Sequence, residues 1–291
     1  MFKNLPLIAF WLVGIIWGSN FIYMKWASEY LSASQVVFIR VLFGFIPVLF
    51  YALYLKVIKL EHFKYAIHFF IMSLLGTTVY YYFFVKAAAL LLSGVNGALS
   101  GSIPLFTFIL SIIFINEERA TFRRFLGIIV GLFGVVLIAK PFDANLLQTN
   151  INGVIYIVTG SLILGMSFVY AKKFLSGLKI HFAALTTYQL GFALLVLVIF
   201  TDFTNITNIL NDTHVFLGAV FGLGLLGTGL AFILYYYLVE KLGAVNASTA
   251  TYIPPVVALI IGYFFIGENI TLVDVLATML IFSGVFLINK K

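Results

Sequence analysis

The chain has 291 residues, 63% apolar and only 9% charged, with a net charge of +7 and no cysteine. Soluble domains run at about 45–50% apolar and about 25% charged residues, so a water-soluble globule is excluded, and 32 Phe, 16 Tyr and 3 Trp exclude disorder. Without cysteine there is no disulfide framework, thiolate metal site or cysteine nucleophile, and the class that remains is an integral membrane protein.

A spanning helix needs roughly 20 apolar residues. Windows of that length predict ten spans, near 5–27, 33–55, 66–87, 94–115, 123–140, 152–173, 182–201, 214–238, 244–266 and 272–288. Runs such as LLVLVIF (194–200) do not alternate as barrel strands would. The first span continues through bulky Trp17, Phe21 and Tyr23 with no small-residue cleavage site, so it reads as a retained helix. Counted over the loops, thirteen Lys and Arg fall on one face (Lys3, Lys56, Lys59, Lys64, Arg119, Arg123, Arg124, Lys172, Lys173, Lys179, Lys241, Lys290, Lys291). Only Lys25, Lys86 and Lys140 fall on the other. The positive-inside rule then places both termini in the cytoplasm. Basic residues spread over successive loops make a topology signal and no nucleic-acid surface.

The sequence also repeats itself. A shift of 150 aligns VNGALSGSIPLF (95–106) with VNASTATYIPPV (245–256), FINEERAT (114–121) with FFIGENIT (264–271), and GVVLIAK (134–140) with GVFLINK (284–290). Identities at Asn96/Asn246, Pro104/Pro254, Glu118/Glu268 and Thr121/Thr271 are beyond what apolar bias supplies. Upstream the shift slips slightly: WGSNFIYMK (17–25) falls on LGMSFVYAK (164–172), and LLGT (74–77) on LLGT (225–228). The expected fold is all-α integral membrane, ten transmembrane helices as two inverted-topology repeats of five, with units 1–142 and 150–291. An odd number of helices per unit inverts the second copy, the arrangement of secondary transporters whose site lies where the halves meet.

The stretch WGSNFIYMKWASEYLSASQVVFIR (17–40), the Pro104 segment running to Glu118 and Thr121, its copy at Pro254, Glu268 and Thr271, and the Gly134 and Gly284 helices resemble the EamA family of the drug/metabolite transporter superfamily. The resemblance covers essentially the whole chain as two tandem units. It implies ten helices with both termini inside, a central cavity, and transport, often export, of small metabolites such as amino acids. The second unit departs from the pattern, with Leu164 in place of the tryptophan and Gln189 roughly where Arg40 would stand, so the site is expected to be asymmetric.

Candidate substrate-binding residues follow from polarity and ring content within the spans. Arg40 sits well inside the second span, where an ionisable group is costly and faces protein or water; the competing reading is a structural arginine bonding a helix end. Lys25 and Lys86 lie nearer helix ends, where snorkelling is expected. Trp17 and Phe21 share one stripe of helix 1, Tyr80 and Tyr81 lie in helix 3, Tyr236 belongs to the Tyr235–Tyr237 run of helix 8, and Tyr252 lies in helix 9. Such rings line a cavity for apolar or cationic substrate parts, or they pack against lipid. Asn20, Ser167 and Gln189 either bind substrate or hydrogen-bond neighbouring helices, while Asn96 and Asn246 read as capping or packing residues. Pro104 and Pro254 interrupt helices 4 and 9 at equivalent places, as hinges or as static bends. Five glycines between Gly218 and Gly229 make helix 8 the most deformable span.

No Asp or Glu lies mid-span, and the four histidines sit at span ends, which leans away from an intramembrane proton relay. No P-loop is present, and no catalytic cluster, cofactor or metal is implied. The expected function is a carrier in the cytoplasmic membrane that exports a small amphipathic metabolite, an amino acid or related compound, working by alternating access between the repeats. The alternatives are uptake of a cationic or quaternary-amine metabolite and, more remotely, an intramembrane enzyme or a channel. Expected partners are the substrate and the lipid bilayer, without nucleic acid, in a monomer or homodimer.

Overall fold

A computed structural model describes residues 5–115, 121–139, 150–242 and 249–289. Among these residues there is no strand. We label the helical stretches α1 (Leu5–Tyr30), α2 (Ala33–Tyr54), α3 (66–88), α4 (93–114), α5 (Phe122–Ala139), α6 (151–175), α7 (Phe182–Phe200), α8 (213–242), α9 (249–265) and α10 (Leu272–Asn289). Among the described residues seven helical stretches, one of them including the 3₁₀ lead-in to α3, are long and apolar enough to cross a membrane: Leu5–Tyr30, Ala33–Tyr54, Leu60–Ala88, Ser93–Phe114, Ile151–Leu175, Phe182–Phe200 and Thr213–Tyr235. The apolar stretches Ala250–Phe265 and Leu272–Ile288 are shorter.

Helix starts are set by local chemistry. Ser32 and Gln35 form a capping box at the start of α2, where the Ser32 side chain accepts from the Gln35 N–H and the Gln35 amide oxygen accepts from the Ser32 N–H. Thr271 and Asp274 do the same for α10, with Thr271 N–H donating to Asp274 Oδ2 at 2.8 Å. The repeated threonine thus has a local role, since Thr121 Oγ1 likewise accepts from the Arg124 N–H.

The bundle is apolar outside and partly polar within. Phe200 and Phe265 are each 80% exposed and Leu272 is 73% exposed, whereas Asn20, Arg40, Thr77, Ser167 and Thr228 are buried. Continuous bare apolar surface on this scale belongs in lipid, and polar groups turned inward are what a bilayer demands. One apolar core runs through both halves, from Phe21 and Val36 to Leu223, Ala258 and Ile281.

The two repeats meet back to back at α5 and α10. A Cβ at Gly127 would lie 2.6 Å from the Gly284 carbonyl oxygen, and one at Gly134 would lie 2.6 Å from the Ala277 carbonyl oxygen. Under the 150-residue shift Gly127 maps to Ala277 and Gly134 to Gly284, so the two contacts exchange when the repeats exchange. The same exchange relates α1 on α9 to α6 on α4: Gly18 meets Val257, and Gly165 meets Thr107. Small residues at these crossings let backbones touch, the source of helix association where solvent is itself apolar.

Four stretches have π-helical hydrogen bonding, at Leu74–Thr78, Ala171–Leu175, Gly218–Leu230 and Ile261–Phe265. Both copies of LLGT fall inside such stretches. The glycines of α8 serve close packing: Gly222 admits the Tyr23 ring, Gly224 the Phe43 side chain and Gly229 the Pro47 ring. Side chains from α1 and α2 occupy the places where Cβ atoms would be, which accounts for the glycines without appeal to flexibility.

Candidate functional site

The site grows from the two LLGT motifs. In the second copy Gly227 has no side chain, and Asn20 of α1 fills the space a Cβ would take. Arg40 of α2 reaches the next residue, its Nε donating to Thr228 Oγ1 at 3.1 Å. Thr228 in turn donates to the Leu223 carbonyl, five residues back, at 3.1 Å. The Asn20 amide orientation that satisfies both of its ends has Nδ2 donating to the Ile16 carbonyl at 3.1 Å and Oδ1 accepting from Arg40 Nη2 at 3.0 Å. Arg40 Nη1 faces Met24 Sδ at 3.7 Å, a weak acceptor. The guanidinium lies over the Tyr81 ring, 3.7 Å from its centroid. Arg40 and Asn20 are each only 3% exposed.

The first LLGT copy carries the matching group. Gln189 of α7 donates through Nε2 to Thr77 Oγ1 at 2.8 Å and to the Gly76 carbonyl at 3.0 Å. Ser167 of α6 stands against Gly76 as Asn20 stands against Gly227. The correspondence is complete in kind: Asn20 with Ser167, Arg40 with Gln189, and Gly227–Thr228 with Gly76–Thr77. Each cluster takes its α1- or α6-type and α2- or α7-type residues from one repeat and its Gly–Thr from the other. The π-helical turns suit this role, because an extra residue per turn shifts backbone groups out of the regular ladder.

Aromatic rings extend from Arg40. Tyr81 packs on Tyr80 (4.2 Å between centroids), Tyr80 on Phe84 (5.4 Å), and Phe84 on Phe21 (6.2 Å). Of the sequence candidates, Asn20, Phe21, Arg40, Tyr80 and Tyr81 therefore come together, and Ser167 and Gln189 form the second cluster. Trp17 does not join them. It packs on Tyr235 at 5.4 Å, beside Val13 and Leu238. Tyr252 packs instead in a separate apolar cluster with Leu105, Phe108 and Val285. The Tyr236 side chain, Asn246 and Glu118 lie outside the described residues. Pro104 and Pro254 each lie in the first turn of a helical restart, after a turn at Gly101–Ser102 in α4 and after the 3₁₀ turn Thr249–Tyr252 in α9.

Several residues here carried no signal in the sequence. Thr77 and Thr228 are ordinary in apolar spans, and only their identical place in the LLGT repeat could have marked them. Lys25, expected to snorkel, is part-exposed and has partners at its end of the bundle: it donates to the Leu91 carbonyl at 3.0 Å and pairs with Glu268 at 3.6 Å. The Glu268 carboxylate accepts from the backbone N–H groups of Ser93 (2.7 Å) and Gly94 (2.9 Å), capping α4 from a loop far along the chain. A carboxylate at a helix N-terminus is favoured by the orphan donors and the helix dipole, and a cation beside it completes the group. Asn96 bonds the Phe84 carbonyl at 3.4 Å, a helix-packing role.

A family model described as the EamA-like transporter family matches residues 4–140 and again 151–290. The chain is 26% identical over 279 residues to "Uncharacterized transporter YoaV" of Bacillus subtilis (strain 168), covering 94% of this chain and 93% of that one. It is 28% identical over 275 residues to an "Uncharacterized transporter" of Archaeoglobus fulgidus, covering 94% and 95%. It is also 26% identical over 197 residues to "Uncharacterized inner membrane transporter YedA" of Escherichia coli (strain K12), covering 68% and 62%. A solved crystal structure shares the fold, with a TM-score of 0.62 at 18% identity, covering 99% of this chain and 96% of that one. With two family units spanning nearly its whole length, the chain belongs to the EamA-like transporter family and is a multi-pass membrane transporter, not an enzyme.

Proposed function

We propose that the protein is a ten-span carrier of the cytoplasmic membrane, with both termini cytoplasmic, built from inverted units 1–142 and 150–291. It moves a small amphipathic metabolite, an amino acid or a related compound, outward by alternating access. The observation that carries the reading is the paired polar cluster at Asn20/Arg40/Thr228 and Ser167/Gln189/Thr77, each made from both repeats. Relative motion of the units necessarily remodels both clusters at once, which is what a substrate must do to drive or follow an inversion. A channel would need a continuous polar path, whereas these side chains are packed shut: Tyr81 is 3% exposed and Thr228 fully buried.

The closure on the outward side is the Lys25–Glu268 pair with the capped start of α4. Opening there breaks one ion pair and two charge-assisted hydrogen bonds, and the energy returns when the face closes again. The test is counterflow in liposomes with labelled amino acids, organic acids, polyamines and quaternary amines. Accumulation of at least one labelled compound against an excess of the same compound trapped inside is expected, with loss in Asn20→Ala and Thr228→Val. No flux of any compound in vesicles holding folded protein would refute the carrier reading.

A further inference from the structure

Arg40 is buried, charged, and without an acid. Among the described residues no carboxylate stands within ion-pair distance of it. Its partners are a hydroxyl, an amide oxygen, a thioether and a ring face, all neutral. Removing a guanidinium from water without a counter-ion is strongly unfavourable, so the charge needs a reason.

The second cluster acts as an internal control. Gln189 occupies the equivalent place and makes the equivalent bond to the threonine of its LLGT motif, at 2.8 Å. A neutral amide therefore suffices to dock the α2-type helix on the π-helical turn. The neighbours depend on Arg40 only in part: Thr228 also bonds the Leu223 carbonyl and Asn20 Nδ2 bonds the Ile16 carbonyl, which leaves Asn20 Oδ1 as the one acceptor group served by Arg40 alone. What Arg40 adds beyond Gln189 is the positive charge and a planar fork of donors. One edge of that fork faces only Met24 sulfur and the Asn20 amide, acceptors that a carboxylate outcompetes through charge-assisted, bidentate bonds. Stacking on Tyr81 holds the plane still and covers a face of the guanidinium, so the ring does not compete for the donors at its edge.

We propose that Arg40 is the receptor for the carboxylate of the carried molecule, and that the preferred substrates are small organic monoanions with an apolar body. The proposal rests on the carrier reading of the same site and narrows it. A cation would be repelled by a guanidinium in a low-dielectric surround. A zwitterionic amino acid satisfies Arg40 but brings an ammonium group into a cluster with no described acid to receive it, so it binds less well than its deaminated acid. The rings of Tyr80, Phe84 and Phe21 supply the contact for the apolar body.

The test uses purified full-length protein and two matched series. Hydrocinnamate and isocaproate are each compared with their amides, their amines and their α-amino counterparts, phenylalanine and leucine. Thermal stabilisation in detergent and competition in counterflow are read together. The acids are expected to bind best, the amino acids more weakly, and the amides and amines not measurably. Arg40→Gln is expected to fold with unchanged or raised thermal stability, to weaken acid binding about tenfold or more, and to erase the difference between acid and amide. Arg40→Lys is expected to keep the acid preference at reduced affinity. Amides or amines matching the acids in the wild type, amino acids exceeding their deaminated acids, or an acid preference surviving Arg40→Gln would overturn the assignment. In each of these cases flux persists and the carrier reading stands. Absence of flux for every compound removes both.

Discussion

At the scale of single residues, the site is defined by what is missing as much as by what is present. Gly227 and Gly76 give up side chains so that Asn20 and Gln189 can press against π-helical backbone. Adding a methyl at Gly227 forces the Asn20 amide away from Arg40. Gly227→Ala is therefore expected to destabilise by about 1–3 kcal/mol, the usual cost of overpacking, as measured by reversible unfolding in mixed micelles. A neutral result would mean that Asn20 is not held against this turn. Thr228→Val leaves the helix intact but removes both the acceptor for Arg40 Nε and the bond to the Leu223 carbonyl. It is expected to cost about 1–3 kcal/mol, and more than Thr77→Val, because the donor it orphans is charged.

At the scale of elements, the Lys25–Glu268–α4 group ties α1, α4 and the loop before α10 into one closed end. Glu268→Gln keeps the side-chain length and one acceptor oxygen but loses the ion pair and the second carboxylate bond. In a chain with no native cysteine, Ser167→Cys provides a reporter within the second cluster. Labelling of that position by a membrane-impermeant maleimide from the outer face is expected to rise several-fold when Glu268→Gln is added. An unchanged rate would show that this group does not hold the outer face shut. The same elements show what a sequence can carry. Arg40 was legible because a charge deep in an apolar span is conspicuous, and the matched Gly134 and Gly284 segments marked α5 and α10 as repeat counterparts, though not as contacts. The π-helical turns were not legible, since a change of helical period leaves no trace where nearly every residue is apolar. For the same reason no periodicity could say that Trp17 and Tyr252 would leave the central group while Tyr80 and Tyr81 stayed. The partner of Lys25 was not legible because it lies at the far end of the chain, and position along a helix reports depth but never a distant partner.

At the scale of the whole molecule, two copies of one family unit share a core, cross at paired glycines and build two related polar clusters from swapped parts. One cluster holds a charge and the other a neutral amide, so in the proposed carrier the two halves would hold the cargo asymmetrically. The central claim is that this shared centre faces each side of the membrane in turn. The most direct measurement is the reactivity of Ser167→Cys, in proteoliposomes of known orientation that retain counterflow, toward impermeant reagents applied from each face separately. The account predicts labelling from both faces, slowed by transported substrate on either side, in vesicles that remain tight to small ions. Labelling from one face only, in vesicles that still exchange substrate, would contradict it.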